Sequence, residues 1–144
     1  MSGTQISVSI GALGMPFVAL VVDDSMVIRH TICRFLEERG FTVESASNGI
    51  EALQVLDRVR PDLVVTDMQM PEMSGGELIS VLKSKPETAA IPIMIVTGRS
   101  SGFDANETRA QFTIFKDIDI QEQLEKAVAG TPCGIAAKAQ ASGK

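Results

Sequence analysis

Three apolar runs in this 144-residue chain each lead into residues able to do chemistry. FVALVV runs into Asp23 and Asp24, LVVT into Asp67 and IPIMIV into Thr97, while a fourth segment, QFTIF, runs into Lys116. In a parallel open sheet ligands gather outside the carboxyl ends of the strands, so these residues are expected at one place. An Asp after a strand is by itself more often a turn former or helix cap. Four coincident strand ends weaken that bland reading. Three carboxylates drawn close repel one another and raise one another's pKa unless a cation sits among them. A hard divalent ion that prefers oxygen ligands, Mg²⁺ above all, is the natural occupant. Lys116 can neutralise part of the remaining charge, and the Thr97 hydroxyl can hydrogen-bond an anionic oxygen. Such a set suits phosphoryl transfer, where catalysis is mostly positioning and charge neutralisation. A carboxylate can itself be the nucleophile and form an acyl phosphate.

The elements that must position these groups follow from hydrophobic patterning. Strand-like segments at Phe17–Val22, Phe41–Ala46, Leu63–Thr66, Ile91–Val96 and Gln111–Phe115 alternate with segments of helical period, giving a βα unit repeated five times. The first, third and fourth are nearly continuous apolar runs, as expected for central parallel strands covered on both faces; the second and fifth read as edges. Helix starts are signalled by Asn48 with Glu51, Ser74 with Glu77 and Asp119 with Glu122. The first helix, from Met26 to Arg39, buries Ile28, Ile32, Phe35 and Leu36 and stops at Gly40, which can take a left-handed cap. Leu53, Leu56 and Val59 mark the second helix, Leu78, Ile79 and Leu82 the third, and Leu124, Ala127 and Val128 the last. Between Gly98 and Gln111 the sequence GRSSGFDANETRA supports only a short, irregular fourth helix, about Asp104 to Ala110.

Composition bounds the class. With 44% hydrophobic and 22% charged residues and a net charge of -5, the chain reads as one globular, acidic domain rather than a disordered one. The longest uncharged apolar run, Gly11 to Val22, is too short to span a bilayer and contains Pro16, so no membrane partner is expected. The first basic residue is Arg29, behind that run, which argues against a secretory signal. Cys33 and Cys133 read as free thiols of a reducing compartment, hence a cytoplasmic expectation. No cluster of Lys and Arg offers a phosphate-backbone footprint, so direct nucleic-acid binding is not expected. Residues 1–15 read as an N-terminal extension, 16–130 as the folded domain and 131–144 as a flexible tail.

Four stretches carry a family resemblance: VVDDS (Val21–Ser25), VVTDMQMPEMSG (Val64–Gly75), IVTG (Ile95–Gly98) and FKD (Phe115–Asp117). Together they resemble the receiver domain of two-component response regulators, of the stand-alone chemotaxis-regulator-like type, over about Phe17 to Gly130. The intervals agree: Asp67 follows Asp23 by 44 residues, and Thr97 follows Asp67 by 30. The resemblance implies a flavodoxin-like, doubly wound α/β fold with five helices around a parallel sheet of order 2-1-3-4-5. It implies that Asp67 is the phosphoacceptor, Thr97 the switch hydroxyl and Lys116 the phosphate-pairing lysine. It further implies Mg²⁺ held by Asp23, Asp24, Asp67 and the backbone carbonyl of Gln69. The function implied is a signalling switch that catalyses only its own phosphorylation and dephosphorylation and is not otherwise an enzyme. A histidine kinase or histidine phosphotransfer protein would supply the phosphoryl group, and, if these 144 residues are the entire protein, a separate downstream protein would read the result.

The chain also departs from the family pattern. The lysine is normally followed by a cis proline, but Asp117 follows Lys116, and a cis bond without proline costs roughly 3 kcal/mol. Where the family carries an inward-swinging aromatic, three before the lysine, this chain has Thr113, with Phe112 one residue earlier. The interval of 19 residues from Thr97 to Lys116 is short for the family. These departures motivate an alternative, a receiver-like interaction module whose output does not depend on phosphate. An aspartyl-phosphate hydrolase would need an acid/base carboxylate where Gln69 stands, and Asp23 and Asp24 would repel a flavin phosphate. His30 reads as a surface or boundary residue, Met68, Met70 and Met73 as packing, and Cys33 as a small buried apolar group. Arg99 either reaches the phosphoryl group or is simply solvated.

Overall fold

The computed structural model describes residues 17–98, 109–116 and 119–131. Within them run β1 (Val18–Val22), α1 (Met26–Glu38), β2 (Thr42–Ala46), α2 (Gly49–Leu56), β3 (Leu63–Asp67), α3 (Gly75–Ser84), α4 (Pro86–Ala89), β4 (Ile93–Thr97), β5 (Phe112–Phe115) and α5 (Ile120–Ala129). All strand pairings are parallel, in the order β2-β1-β3-β4-β5, so the expected doubly wound sheet is present with β2 and β5 at its edges.

The continuous apolar runs are explained by burial on both faces. Ala19, Val21, Leu63, Val65, Met94 and Val96 pack with Ile32, Phe35 and Leu36 of α1 and Leu124, Ala127 and Val128 of α5. The alternate residues Leu20, Val22, Val64, Ile93 and Ile95 pack with Ala52 and Val55 of α2 and Leu78, Ile79 and Leu82 of α3. With side chains alternating across the pleat, a strand covered on both sides stays apolar until its carboxyl end, where Thr66, Asp67 and Thr97 are buried with it. The buried face of α2 differs from expectation: Leu53, Leu56 and Val59 are only partly buried at its margin, because the smaller Ala52 and Val55 let the helix lie close to the sheet.

Local chemistry sets the helix boundaries. Ser74 and Glu77 form a reciprocal capping box at α3. Asn48 and Asp119 cap α2 and α5 through the N–H groups of Glu51 and Glu122, but the Glu51 carboxylate accepts instead from the N–H and hydroxyl of Ser47. The cap of α1 is Ser25, whose hydroxyl accepts from the Ile28 N–H at 3.3 Å. Gly40 closes that helix at φ 94°, in the left-handed region. The short α4 begins at Pro86, whose ring suits a first helical position and holds Lys85 extended.

The Thr131 hydroxyl donates to Val128 O at 2.7 Å, so this first residue of the expected tail is tied to the end of α5. Arg109 and Ala110 are not helical. The rest of the expected fourth-helix segment, Arg99, the Lys116–Asp117 bond, Cys133, residues 1–15 and the remainder of the tail lie outside the described residues.

Candidate functional site

Strand register brings the chemistry-bearing residues to one end of the sheet. Asp67 closes β3 opposite Val96, Thr97 closes β4 opposite Phe115, and Val22, the last residue of β1, pairs with Thr66. Asp23 and Asp24 leave β1, and Lys116 leaves β5, at that same end.

Asp23 and Asp67 are buried at 0% and 3% exposure, whereas Asp24 is exposed, and one carboxylate oxygen from each lies within 4.8 Å of the others. The Lys116 ammonium stands 3.1 Å from Asp67 Oδ2 and 3.7 Å from Asp23 Oδ2. Backbone amides orient the other oxygens: the Ser25 N–H donates to Asp23 Oδ1 at 2.8 Å and the Gln69 N–H to Asp67 Oδ1 at 3.3 Å. Burial, and then the negative charge of Asp23, push the Asp67 carboxyl up to about 6, with Lys116 and the Gln69 amide pulling the other way. Burial likewise raises Asp23, against the Ser25 amide and Lys116.

Among the described residues, Asp23 Oδ2 is a buried side-chain oxygen with no hydrogen-bond donor. A carboxylate oxygen of Asp23 also lies within 4.8 Å of oxygens of Asp24 and Asp67. Three carboxylates against one ammonium leave an excess of two negative charges, and all the donors are hard oxygens. The residues therefore fit a divalent cation such as Mg²⁺.

Thr97 is buried at 2% exposure, and its backbone carbonyl accepts from the Lys116 N–H at 2.9 Å, which ties the hydroxyl-bearing and ammonium-bearing strand ends together. Gly75 explains how α3 approaches the site. A Cβ there would collide with the Asp67 carbonyl oxygen and sit 2.8 Å from Met68 Cα. Its N–H donates to Met68 O at 3.0 Å. Met68 is buried, and Met70 and Met73 pack partly buried beside it, in keeping with the packing reading. Glu72, in the same loop, takes φ 72° without being glycine.

On β5, Phe112 and Ile114 face the α1 and α5 side, and the Phe112 ring lies against Gly130. Thr113 points to the opposite face by strand alternation, so Phe112 does not replace an aromatic there. His30 is exposed, and Cys33 is half-buried rather than buried, its thiol raised chiefly by desolvation. Two residues that matter to the site were not singled out from sequence. Arg29 donates from Nη1 to the Asp23 carbonyl at 2.7 Å, and the Gln123 side chain binds both polar groups of Phe115, next to Lys116. The available signal for Arg29 was a basic side chain in the first turns of a helix starting beside two carboxylates. For Gln123, an amide on a helix facing an edge strand, local pattern offered none.

A parallel 2-1-3-4-5 sheet with an acidic cluster and a lysine at its carboxyl edge defines the class of receiver modules. Residues 19–129 match the response regulator receiver domain, and the chain belongs to that family. It is 40% identical over 87 residues to "Response regulator MprA" of Mycobacterium sp. (strain KMS), a match covering 60% of this chain and 37% of that protein. The chain thus matches well under half the length of this relative. Among solved structures it is similar to chemotaxis response regulator CheY4 of Vibrio cholerae, with TM-score 0.71 and 29% identity over 79% of this chain and 97% of that one. It is also similar to the receiver domain of a signal transduction histidine kinase from Syntrophus aciditrophicus, with TM-score 0.68 and 30% identity over 88% and 91% of the two chains. Receiver domains of two-component systems are phosphoacceptors rather than enzymes of the usual kind, and the family generally binds Mg²⁺ at an acidic pocket. Asp23, Asp24 and Asp67 form such a pocket here. Among the described residues no helix is long and apolar enough to cross a membrane.

Proposed function

We propose that the chain is a phosphorylation-controlled switch in which Asp67 accepts a phosphoryl group from a phosphohistidine of a kinase or phosphotransfer protein. The observation that carries this reading is the placing of a buried carboxylate at a strand end, with an ammonium 3.1 Å away and two further carboxylates beside it. Asp23, Asp24, Asp67 and the Gln69 carbonyl would hold Mg²⁺, which, when bound, supplies positive charge to the phosphoryl oxygens. One Asp67 oxygen attacks phosphorus in line with the donor. The O–P bond forms as the N–P bond breaks, and the imidazole leaves with the electron pair and takes up a proton. Lys116 offsets charge on the phosphoryl oxygens. Thr97 offers its hydroxyl to one of them, which links occupancy of the site to the end of β4.

The receiver unit in this reading spans residues 16–130 and works in the cytoplasm. A downstream protein senses the altered surface, without direct contact to nucleic acid or membrane. Incubation with acetyl phosphate and Mg²⁺ is expected to add the mass of one phosphoryl group, and beryllofluoride with Mg²⁺ to shift amide resonances around Asp67. Both responses should vanish in Asp67→Asn. Absence of both in the unmutated chain would sink the reading.

A further inference from the structure

Among the described residues β5 is the last strand of the sheet, so one side of it has no neighbouring strand there to satisfy its backbone. The inner side is served by β4, to which Lys116 donates through its N–H to Thr97 O at 2.9 Å. At Phe115 the missing strand is replaced by one side chain from α5. The Phe115 N–H donates to Gln123 Oε1 at 2.9 Å, and Gln123 Nε2 donates back to Phe115 O at 2.9 Å. The same Nε2 also donates to Asp119 O at 3.1 Å. A primary amide carries one acceptor oxygen and two donor hydrogens, so this arrangement uses both of its functions. Gln123 thereby holds backbone on each side of Lys116, at Phe115 and at Asp119.

Lys116 reaches Asp67 from an edge strand of four residues, whereas Asp67 stands on a fully buried strand. Its backbone origin must be held from outside the sheet as well as from within. We propose that Gln123 is a positioning residue for Lys116: its side-chain amide stands in for the absent sixth strand and fixes the point from which the ammonium reaches the phosphoacceptor. The inference rests on the phosphoacceptor reading of Asp67.

The test measures the rate constant of Asp67 phosphorylation by acetyl phosphate at saturating Mg²⁺, with Mg²⁺ affinity and a thermal melt recorded alongside. Gln123→Met keeps the length and removes the hydrogen bonds. It is expected to slow phosphorylation about tenfold, since small misplacements of a reacting or stabilising group carry such costs, while Mg²⁺ affinity stays within about twofold. In a Lys116→Ala background the same change should add almost nothing, because the group it positions is gone. Gln123→Glu keeps the acceptor for the Phe115 N–H but loses the donors, and should fall between. It decides the matter if the methionine variant does not fold. A Gln123 variant that folds and phosphorylates at the unmutated rate overturns the inference, as does an equal loss with and without Lys116. If the unmutated chain itself takes up no phosphoryl group, the proposed function falls first and this inference with it.

Discussion

The acidic and the cationic sides of the site are held in different ways. Asp67 terminates β3, a central strand buried along its whole length, and Asp23 follows β1, which is buried from Ala19 to Val22. Their backbones are locked between two cores and two neighbouring strands each. Lys116 follows β5, a four-residue edge strand with one strand neighbour, and its surroundings are completed by side chains. Gln123 serves Phe115, and at the other end of the strand the Gln111 amide oxygen accepts from the Ile93 N–H at 2.7 Å. The contrast separates two tasks. Holding like charges together in a buried place requires a rigid backbone, because the carboxylates would otherwise move apart. An ammonium on a flexible four-carbon stem is drawn to them by attraction and needs only an anchored starting point.

The largest expected effect comes from disturbing the rigid side. Gly75→Ala forces a methyl group against the Asp67 carbonyl and Met68 Cα, both backbone, so relief would require α3 to move off the sheet. A loss of about 3 kcal/mol in denaturant unfolding is expected, together with weakened Mg²⁺ binding; an unchanged midpoint would show that the rigid side yields easily. Next, Lys116→Ala removes the cation that faces Asp67 and Asp23. Phosphorylation should slow by about two orders of magnitude, while Mg²⁺, freed from a competing charge, should bind several-fold tighter by calorimetry. Weaker Mg²⁺ binding would mean that the lysine organises the carboxylates rather than merely balancing them.

In the metal-free protein, stability depends on pH through Asp67. Burial pushes the Asp67 carboxyl up to about 6 in the fold, against the ordinary aspartate value of 3.8. The folded state therefore binds the extra proton between these values, and its stability contribution is complete below the lower one and lost as pH rises through the upper. Asp67→Asn should accordingly stabilise the metal-free protein above pH 6 by about 1–2 kcal/mol, after allowance for water at the open side of the site, and the gain should fade toward pH 4. Thermal melts at pH 5 and pH 8 decide it, since equal gains at both would remove the buried Asp67 charge as the cause. The smallest effect is expected at Glu72, held at φ 72° in the loop after β3. Glu72→Gly should add about 0.5–1 kcal/mol if relief of the left-handed strain outweighs the extra freedom of the unfolded chain; a loss would mean that the side chain contributes more than its strain costs.

Much of this architecture is legible in the sequence alone. The three continuous apolar runs identified the central strands, and the chemical residues following them identified the site end, because parallel strands must all present their carboxyl ends together. The cap residues located three helix starts from spacing alone. Less legible was anything depending on contacts between distant segments. Leu53 and Leu56 promised the buried face of α2, yet Ala52 and Val55 occupy it, since close approach to the sheet favours the smaller side chains. Gln123 gave no sign in its local pattern, because its partners on Phe115 exist only when α5 folds back along the sheet edge.

The order of elements, the chemistry of the cluster and the excess of carboxylates over ammonium are properties of residue type and local periodicity, and the chain carries them in its linear form. Which carboxylate lies deepest, how near Lys116 comes to it and which oxygen lacks a donor depend on strand register and on how close the helices pack. Asp23 and Asp24 are adjacent in sequence, yet one is buried with an oxygen lacking a hydrogen bond and the other is exposed. Burial is a property of the whole assembled surface. Desolvation, the leading cause of the raised Asp67 pKa, arises only when the two cores close around the sheet.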